Sequence, residues 1–272
     1  MLLRQVEYAR PETIDEAVRL LSSREDARAL AGGQSLVNVM KTRVASPELV
    51  VDLNRIQELR TIETGPNGEL VIGAMVTYDD LIRSDAVRAA RPILPEVAIT
   101  IADVQVRNRG TVGGNLCVND PTNHLPPVIA TTGATMTIRS LESERTATSD
   151  EFFQGVYLTA VTPGEMLTRV TVPARQPGEG DGWASVTLGK DGTGIVNVAA
   201  TVRDGRARIA IGCVSATPTV VEADADEVAV PKAVADANLD PPEDVHASAD
   251  YRRHLAQVLA WRAVKQALEG AA

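Results

Sequence analysis

The stretch Arg107–Asn115, "RNRGTVGGN", places two adjacent glycines in a polar loop that closes on an asparagine. A second pair of adjacent glycines occurs well upstream, in "AGGQS" at Ala31–Ser35. Glycine loses more conformational freedom on folding than any other residue and adds no packing, so each pair needs a reason. Anion binding is one such reason, because without a Cβ the main-chain N–H groups can converge on a phosphate. Two converging loops are suited to a pyrophosphate, and hence to a dinucleotide.

The surroundings of the two loops are consistent with this interpretation. "AGGQS" lies between a predicted strand and a predicted helix, where the positive helix end attracts anions and Ser35 can cap or donate. The second loop offers its amides together with the side chains of Thr111 and Asn115 as donors. A single Gly-Gly pair is more often only a tight turn, and that alternative stays open for each loop. No GxGxxG follows a predicted strand, so an ordinary Rossmann site is not supported.

Composition describes a globular protein and excludes several partner classes. The chain has 272 residues, of which 44% are hydrophobic and 23% charged, and this length predicts two domains. Acidic residues outnumber basic ones by 36 to 27, which argues against nucleic acid or an anionic membrane as partner. No signal peptide and no apolar run near the ~20 residues of a membrane span is present. The sequence therefore predicts a cytoplasmic protein without a membrane span.

Cysteine and histidine usage argues against a metal in this chain. Cys117 and Cys213 are far apart and no CxxC occurs, so neither an iron–sulfur cluster nor a structural zinc is predicted. The three histidines lack metal-ligand spacing. Both cysteines are interpreted as reduced packing residues.

Hydrophobic patterning up to about residue 175 predicts two small α/β units. In the first, about 1–56, a helix, two strands and a helical segment alternate; the strands are "ARAL" at 27–30 and "ELVVDL" at 48–53. The second unit, 57–175, has strands at 69–75, 135–140 and 166–173 and a helix at 92–103. The segments do not repeat a regular βαβ pattern, so the class is α+β rather than a doubly wound sheet.

A Pro-, Gly- and charge-rich stretch at 173–182 predicts a linker to a third part, 176–272. Three β runs follow, and Asp204-Gly205 between the last two is a strong hairpin signal. The acidic, Ala-rich region 222–247 shows no clear periodicity. A helix from about Asp250 completes a small antiparallel sheet backed by helix. The segment "GKDGTG", which contains Gly189 and Lys190, is predicted to be a turn.

Motifs along nearly the whole chain resemble one family. They are "ALAGGQSL", "IADVQVRNRGTVGGNL" with the following "DP" and "LPP", "EFFQGVYLTAVTPGEMLTRVTVP" at 151–173, "TLGKDGTGIVNVAATV" at 187–202 and "HASADYRRHLAQVLAWRAV" at 246–264. The chain is similar to the FAD-binding subunit of the molybdenum hydroxylases. This family includes the medium subunit of aerobic carbon monoxide dehydrogenase and the flavin domain of xanthine dehydrogenase.

The resemblance implies a fold and a cofactor site. The fold is a PCMH/vanillyl-alcohol-oxidase-type FAD-binding domain at 1–175 and a carbon monoxide dehydrogenase flavoprotein-type domain at 176–272. Ile101 and Leu167 match positions whose side chains lie against the isoalloxazine, with ordinary core packing as the alternative. The residues that match the pyrophosphate clamp are Ala29, Leu30, Ala31, Gly32, Gly33, Gln34, Ser35, Leu36, Thr111, Val112, Gly113, Gly114 and Asn115.

Two positions depart from the family pattern. His124 stands where relatives commonly have Asp in contact with the nucleotide end of the cofactor, and it offers an imidazole without a fixed negative charge. Thr187 stands where relatives often have Lys. A cation near the flavin stabilises its anionic reduced form, so this loss should alter the redox potential. Lys190 is a candidate for partial compensation.

The resemblance implies an electron-relay subunit: FAD receives electrons from iron–sulfur clusters of one partner subunit, while a molybdopterin subunit oxidises the substrate. A small-molecule acceptor then takes the electrons. The alternative is a stand-alone, homo-oligomeric FAD-dependent oxidoreductase that acts directly on a small organic substrate. A third, a scaffold that has lost FAD, is disfavoured by the intact glycine loops. No acid or base residue is assigned, because the flavin supplies the redox chemistry.

Overall fold

The computed structural model of the protein describes residues 3–189 and 192–271. Lys190, the candidate for the compensating charge, lies outside the described residues, and so does part of the turn predicted at "GKDGTG". Within the described ranges the chain forms three sheets with helices around them and a small two-stranded ribbon. This architecture confirms the predicted α+β class.

The N-terminal unit is a small parallel sheet with two helices. Its strands lie in the order β1–β3–β2, and both pairs are parallel. The sequence predicts all of its helices and strands except β1, whose three residues are mostly exposed and show no apolar alternation. The elements are β1 (Glu7–Ala9), α1 (Ile14–Ser22), β2 (Arg28–Leu30), α2 (Leu36–Lys41) and β3 (Leu49–Asp52), followed by 3₁₀ turns at Leu53–Arg55 and Gln57–Arg60.

The middle unit is a five-stranded antiparallel sheet in the order β4–β5–β10–β6–β7. The helix predicted at 92–103 ends at Ala98, and Ala102 has a left-handed φ of 44°. The strands are β4 (Ile62–Thr64), β5 (Leu70–Gly73), β6 (Thr135–Arg139), β7 (Glu144–Thr148), the ribbon β8 (Phe153–Gly155) with β9 (Leu158–Thr159), and β10 (Met166–Val172). The helices are α3 (Tyr78–Arg83), α4 (Asp85–Ala90), α5 (Ile93–Ala98), α6 (Val104–Arg107), α7 (Val112–Val118), α8 (Leu125–Thr131) and α9 (Ser149–Phe152).

The C-terminal unit is a four-stranded antiparallel meander covered by two helices. Asp204 and Gly205 both have positive φ, 50° and 74°, as a two-residue type I′ hairpin requires, so the predicted turn is confirmed. No helix within residues 3–189 and 192–271 combines the length and the apolar character needed to span a bilayer. The elements are β11 (Gly180–Thr187), β12 (Gly194–Arg203), β13 (Arg206–Gly212), β14 (Thr219–Asp224), α10 (Ala229–Asp236) and α11 (Ala249–Ala271).

One prediction for this unit is wrong in its bounds. The linker at 173–182 ends early, because β11 already begins at Gly180. Gly180 and Gly182 are required by packing: a Cβ on Gly180 would lie 1.9 Å from the Ala267 carbonyl oxygen, and one on Gly182 2.0 Å from that of Ala263. The region 222–247, whose sequence shows no clear periodicity, contains the end of β14 and all of α10. Alanine gives little hydrophobic contrast, so the periodicity of α10 is weak in the sequence.

Each sheet has its own cluster of buried apolar side chains, and the clusters share members across unit boundaries. The cluster of the first sheet includes Met75 and Met166 from the middle unit. The cluster of the middle unit includes Trp183 and Ala199 from the C-terminal sheet. The three units therefore pack through apolar contacts, while the proposed domain division near residue 175 stays a prediction.

A buried ion cluster joins the middle and C-terminal units. The guanidinium of Arg91 is 2% exposed, and it contacts the carboxylates of Glu179 and Asp181, which are 9% and 4% exposed. Asp181 lies 2.9 Å from the Arg91 Nη1 atom and accepts a further hydrogen bond of 2.9 Å from Thr201. Buried charges are tolerated when they are paired and hydrogen-bonded, as here. The cluster thus depends on Arg91, since it is the cation shared by two carboxylates.

The substitution Arg91→Met should lower the free energy of unfolding by about 3–5 kcal/mol, because it leaves two buried carboxylates without their cation. Urea unfolding followed by circular dichroism measures this. The matched control is Arg88→Met, which breaks an ion pair with Asp85 whose side chains are 56% and 94% exposed. That change should alter stability by less than about 1 kcal/mol. Equal losses in the two variants would contradict the role given to Arg91.

Candidate functional site

The two glycine loops, far apart in sequence, are in contact. A Cβ on Gly32 would lie 1.9 Å from the carbonyl oxygen of Arg109 and 3.0 Å from the Cα of Gly110. A Cβ on Gly114 would lie 3.6 Å from the Cβ of Ala31. We call Ala31–Ser35 the first loop and Gly110–Asn115 the second loop. Main chain therefore packs on main chain where they meet, which any side chain at position 32 would prevent.

The first loop presents main-chain donors. It leaves β2, passes through Gly33 at a left-handed φ of 75°, and enters α2 at Leu36. None of the described residues accepts a hydrogen bond from the main-chain N–H groups of Gly32 through Leu36, and Ser35 makes no side-chain cap. The loop is half-buried to exposed, so these donors can be reached from outside. A run of such amides is suited to an anion with several oxygens, as a pyrophosphate has.

The first loop is anchored from the end of β3. Asn54 donates from Nδ2 to the carbonyl oxygen of Ala31 at 2.9 Å and to Asp52 Oδ1 at 2.6 Å. Asp52 is 7% exposed and also accepts from the hydroxyl of Tyr8. Burial raises the pKa of Asp52, but the hydrogen bonds from Tyr8 and Asn54 outweigh it and hold that pKa below its usual value. An ionised Asp52 therefore orients Asn54 under the loop.

The second loop is docked on the segment 74–78. Gly113 donates from its N–H to the carbonyl oxygen of Ala74, and Val112 to that of Val76, both at 2.9 Å. A Cβ on Gly113 would lie 2.6 Å from the Cβ of Ala74, and one on Gly110 2.5 Å from the ring of Tyr78. These glycines are required by close packing against the neighbouring segment.

This docking changes the expected role of the second loop. Thr111 caps α7: its Oγ1 accepts from the Gly114 N–H at 3.0 Å, and its carbonyl oxygen accepts from the Asn115 N–H at 3.0 Å. The amides of Val112 through Asn115 thus all have partners inside the protein, whereas the sequence predicts a second set of amides for the ligand. The difference arises because the glycines begin a helix, which the sequence does not predict.

The side chain of Asn115 is directed into the protein. It is 8% exposed and donates from Nδ2 to the hydroxyl of Tyr78 at 2.9 Å. Burial raises the pKa of Tyr78 to about 12, so the phenol stays protonated. Asn115 Oδ1 is buried and receives no hydrogen bond from any described residue. Asn115 therefore holds the loop against Tyr78, while its expected contact with a ligand stays a prediction.

His124 precedes α8 and is 5% exposed. Its ring meets the ring of Trp183 edge to face, with centroids 5.6 Å apart. Its Nδ1 lies 3.3 Å from the hydroxyl of Thr100, which itself donates to the Val97 carbonyl oxygen at 2.7 Å. Nδ1 therefore carries the proton and Nε2 is the acceptor. Burial lowers the pKa of His124 to about 4, so the ring is neutral near pH 7.

Ile101 lies between α5 and α6, and Leu167 lies on β10. The carbonyl oxygen of Ile101 accepts from Arg107 at 3.1 Å, which ties it to α6. The strand β10 packs against α7, and burial raises the pKa of the Cys117 thiol on that helix to about 12. Both side chains pack with the core cluster of the middle unit, Leu167 buried and Ile101 half-buried, so their expected contact with the isoalloxazine stays a prediction beside ordinary core packing.

The remaining predicted residues lie at the edges of this arrangement. Ala29 and Leu30 belong to β2, which leads into the first loop. Thr187 ends β11 on the C-terminal sheet, where a register shift sets it opposite Gly194. The structure thus brings the two loops together, packs Ile101 and Leu167 with the core of the middle unit, and leaves Thr187 on a different sheet.

Two cavities lie elsewhere. One of about 450 Å³ lies between α10 and α11 and includes Asn238 and Arg253 in its lining. Another of about 340 Å³ lies beside Arg91 and Glu179. Both are lined by described residues outside the two loops, so the chemistry of the loops, and not cavity size, identifies the site.

Sequence reasoning missed three polar residues that support the site: Tyr78, Asn123 and Asn197. Asn123 donates from Nδ2 to the carbonyl oxygen of Asn115 at 3.0 Å, and Asn197 donates to the carbonyl oxygen of Asn123 at 3.2 Å. Asn197 stands alone as a polar residue within the apolar run "GIVNVAA". That isolation was the available signal, although it does not identify the partner.

A family model described as "FAD binding domain in molybdopterin dehydrogenase" matches residues 4–175. The chain is 38% identical to the carbon monoxide dehydrogenase medium chain of Afipia carboxidovorans, and the match covers 96% of each chain. It is 34% identical to the nicotine 6-hydroxylase medium subunit of Paenarthrobacter nicotinovorans, over 98% of this chain and 99% of that one.

The fold has close counterparts among solved structures. A chain of reconstituted CO dehydrogenase from Oligotropha carboxidovorans superposes with a TM-score of 0.93 at 36% identity, over 99% of this chain and 100% of that one. The similarity in sequence and the similarity in structure thus both extend over almost the entire length of the compared chains.

Between about pH 6.5 and 4, protonation of His124 should destabilise the fold. Its pKa falls from 6.5 to about 4 on folding, so the unfolded chain binds the proton more tightly. Stability from this group is complete above pH 6.5 and is lost as the pH falls towards 4, by up to about 3 kcal/mol. Urea unfolding of wild type and His124→Asn across this range measures the effect.

The stability difference between the two proteins should shrink as the pH falls, because the asparagine variant has no imidazole to protonate. Carboxylates contribute to acid sensitivity in both and cancel in the comparison. A difference that stays constant from pH 7 to 4 would contradict the buried neutral imidazole.

Proposed function

Since this chain belongs to the family of FAD-binding domains of molybdopterin dehydrogenases, we propose that it relays electrons from a partner's iron–sulfur clusters to an external acceptor. The family establishes FAD as its cofactor and the chain as an FAD-dependent oxidoreductase subunit. The relay, its donor and its acceptor are the proposal. FAD, when bound, supplies the redox chemistry of such a relay.

The observation that carries the proposal is the contact between the two loops, together with the main-chain donors of Gly32 through Leu36, which have no acceptor among the described residues. We assign the pyrophosphate of FAD to these amides. The second loop fixes the position of the first, since Gly32 lies against the Arg109 carbonyl, and its Gly114 leaves room beside Ala31. Ile101 and Leu167 are assigned to the isoalloxazine, Thr187 to its N1/O2 edge, and His124 to the nucleotide end of FAD.

Thr187 is the side chain that bears on the redox potential. It brings no positive charge, so the reduced anionic flavin gains no ion pair from this position, which favours a lower potential than a lysine at 187 would give. His124 is neutral and buried, so it brings no negative charge to the nucleotide end near pH 7.

Partner subunits are proposed from the relatives. The similar proteins are named a medium chain and a medium subunit of dehydrogenase and hydroxylase enzymes. We propose an iron–sulfur subunit as electron donor and a molybdopterin subunit as the site of substrate oxidation. A small molecule is the acceptor.

Purification of the tagged chain from its native host tests the proposal. The expected result is a yellow complex that contains iron, labile sulfide and molybdenum, whose flavin is reduced when the substrate of the complex is added. A yellow homo-oligomer free of those metals, and reduced directly by a small organic compound, would instead support a stand-alone oxidoreductase. A colourless chain that gains no thermal stability with excess FAD would refute both.

The substitution Gly114→Val should abolish FAD retention, because its branched side chain would fill the space beside Ala31 where the loops meet. Its Cβ would also lie 2.8 Å from Thr111 Oγ1, so partial loss of the helix cap should cost about 1 kcal/mol of stability. Flavin fluorescence titration and thermal unfolding measure the two effects separately.

The matched control is Gly270→Val, another helical glycine, whose Cβ would meet no described atom closer than 3.8 Å. This variant should bind FAD as the wild type does. If Gly114→Val also binds FAD with wild-type affinity, the assignment of the loops is wrong.

A further inference from the structure

Asn197 is a buried amide in the middle of an apolar strand. It is 0% exposed and lies on β12 opposite Gly212 of β13. A Cβ on Gly212 would lie 2.1 Å from Asn197 Oδ1, and one on Gly194 3.0 Å from its Nδ2. Two glycines thus leave the space that the amide occupies. Burying an amide is unfavourable unless it is hydrogen-bonded, so core packing alone does not explain an asparagine at this position.

The amide is the start of a chain of hydrogen bonds that passes through the second loop at Asn115 and ends at Tyr78. Asn197 Nδ2 donates to the carbonyl oxygen of Asn123 at 3.2 Å. Asn123 Nδ2 donates to the carbonyl oxygen of Asn115 at 3.0 Å. Asn115 Nδ2 donates to the hydroxyl of Tyr78 at 2.9 Å. Three asparagines therefore connect the C-terminal sheet to the segment on which the second loop is docked.

The turn in the middle of this chain is held at a second point. We call Asp120–His124 the asparagine turn. The main-chain N–H of Cys213, on the residue after β13, donates to the carbonyl oxygen of Pro121 at 3.1 Å. Neighbouring strands of the C-terminal sheet thus hold the asparagine turn at Pro121 and at Asn123. His124 follows directly and enters α8, so its ring position depends on the same turn.

The orientation of the Asn197 amide is fixed. Its partner is a carbonyl oxygen, which only accepts, so Nδ2 must face it. Asn197 Oδ1 then has no donor among the described residues. A half-satisfied buried amide stabilises less than an apolar side chain of the same shape would. Its contribution is therefore better sought in the position of the asparagine turn than in stability.

We propose that Asn197 is a positioning residue of the flavin site: through Asn123 it sets the asparagine turn, and with it the second loop and His124. This inference rests on the proposed function, since it concerns the same FAD site. It assigns part of the geometry of that site to the C-terminal sheet, which lies outside the matched FAD-binding region at 4–175.

The variant that separates positioning from stability is Asn197→Leu. Leucine is close to asparagine in shape and needs no hydrogen bond, so the apo protein should melt within a few degrees of wild type. FAD affinity, measured by flavin fluorescence titration, should fall at least tenfold. The visible circular dichroism of the remaining bound flavin should also change, because its surroundings have moved.

The control is Gln266→Leu, which removes another amide link between the same two units. Gln266 on α11 donates to Glu96 of α5 at 2.7 Å and accepts from the Trp183 N–H at 2.9 Å. Among the described residues, the Gln266 side chain forms no hydrogen bond with the asparagine turn. FAD affinity should therefore stay within twofold of wild type. The visible circular dichroism spectrum of the bound flavin should keep its shape.

A second variant, Asn123→Ala, keeps the carbonyl that Asn197 contacts but removes the link to Asn115. It should weaken FAD binding by a similar factor. The double variant Asn197→Leu/Asn123→Ala should bind FAD no more weakly than the single variant with the lower affinity, because both residues act through one chain of contacts. If Asn197→Leu does not fold, this variant alone decides.

FAD affinity within twofold of wild type in folded Asn197→Leu, or in Asn123→Ala, would overturn the inference. Equal weakening by Gln266→Leu would also overturn it, since any loosening of the two units would then suffice. Failure of the wild-type chain itself to bind FAD would instead refute the proposed function.

Discussion

Gly32 lies against the main-chain carbonyl of Arg109, and the geometry of the site depends on this approach of one backbone to another. The contact brings a loop of the parallel sheet against a loop of the antiparallel sheet at a distance that no side chain at position 32 allows. Each loop is in turn fixed on its own sheet, the first by Asn54 and the second by the segment 74–78. The relative position of two sheets is thereby set at one point.

The two loops have different tasks although their sequences look alike. The amides of the first loop have no acceptor among the described residues, whereas the second loop uses its amides to begin α7 and to dock on Ala74 and Val76. Glycine allows close packing in both loops, at Gly32 in the first and at Gly110 and Gly113 in the second, and only the first loop keeps a row of amides without partners among the described residues. The first loop is held by the contact of Gly32 with the second loop and by the hydrogen bond from Asn54 to Ala31.

Much of the fold could be predicted from the sequence because the apolar periodicity of its main strands and of α11 is strong. The pairing of the two loops also followed, but only from the resemblance to a family, since nothing local connects residues so far apart. Hydrogen-bond partners could not be predicted. The amides of Val112 and Gly113 are taken by residues from another segment, and Gly180 and Gly182 look like a linker until α11 is seen against them. Asn197 shows its polarity in the sequence, yet its partner belongs to a distant turn.

The contact at Gly32 also constrains how this protein can change over evolutionary time. The atom that a new Cβ would meet belongs to the main chain of Arg109, and every amino acid has that atom. The contact therefore does not restrict which amino acid stands at position 109. For the same reason, no replacement at position 109 can make room for a side chain at position 32. A loss of Gly32 can be compensated only by moving one sheet relative to the other, which a single second-site substitution does not accomplish.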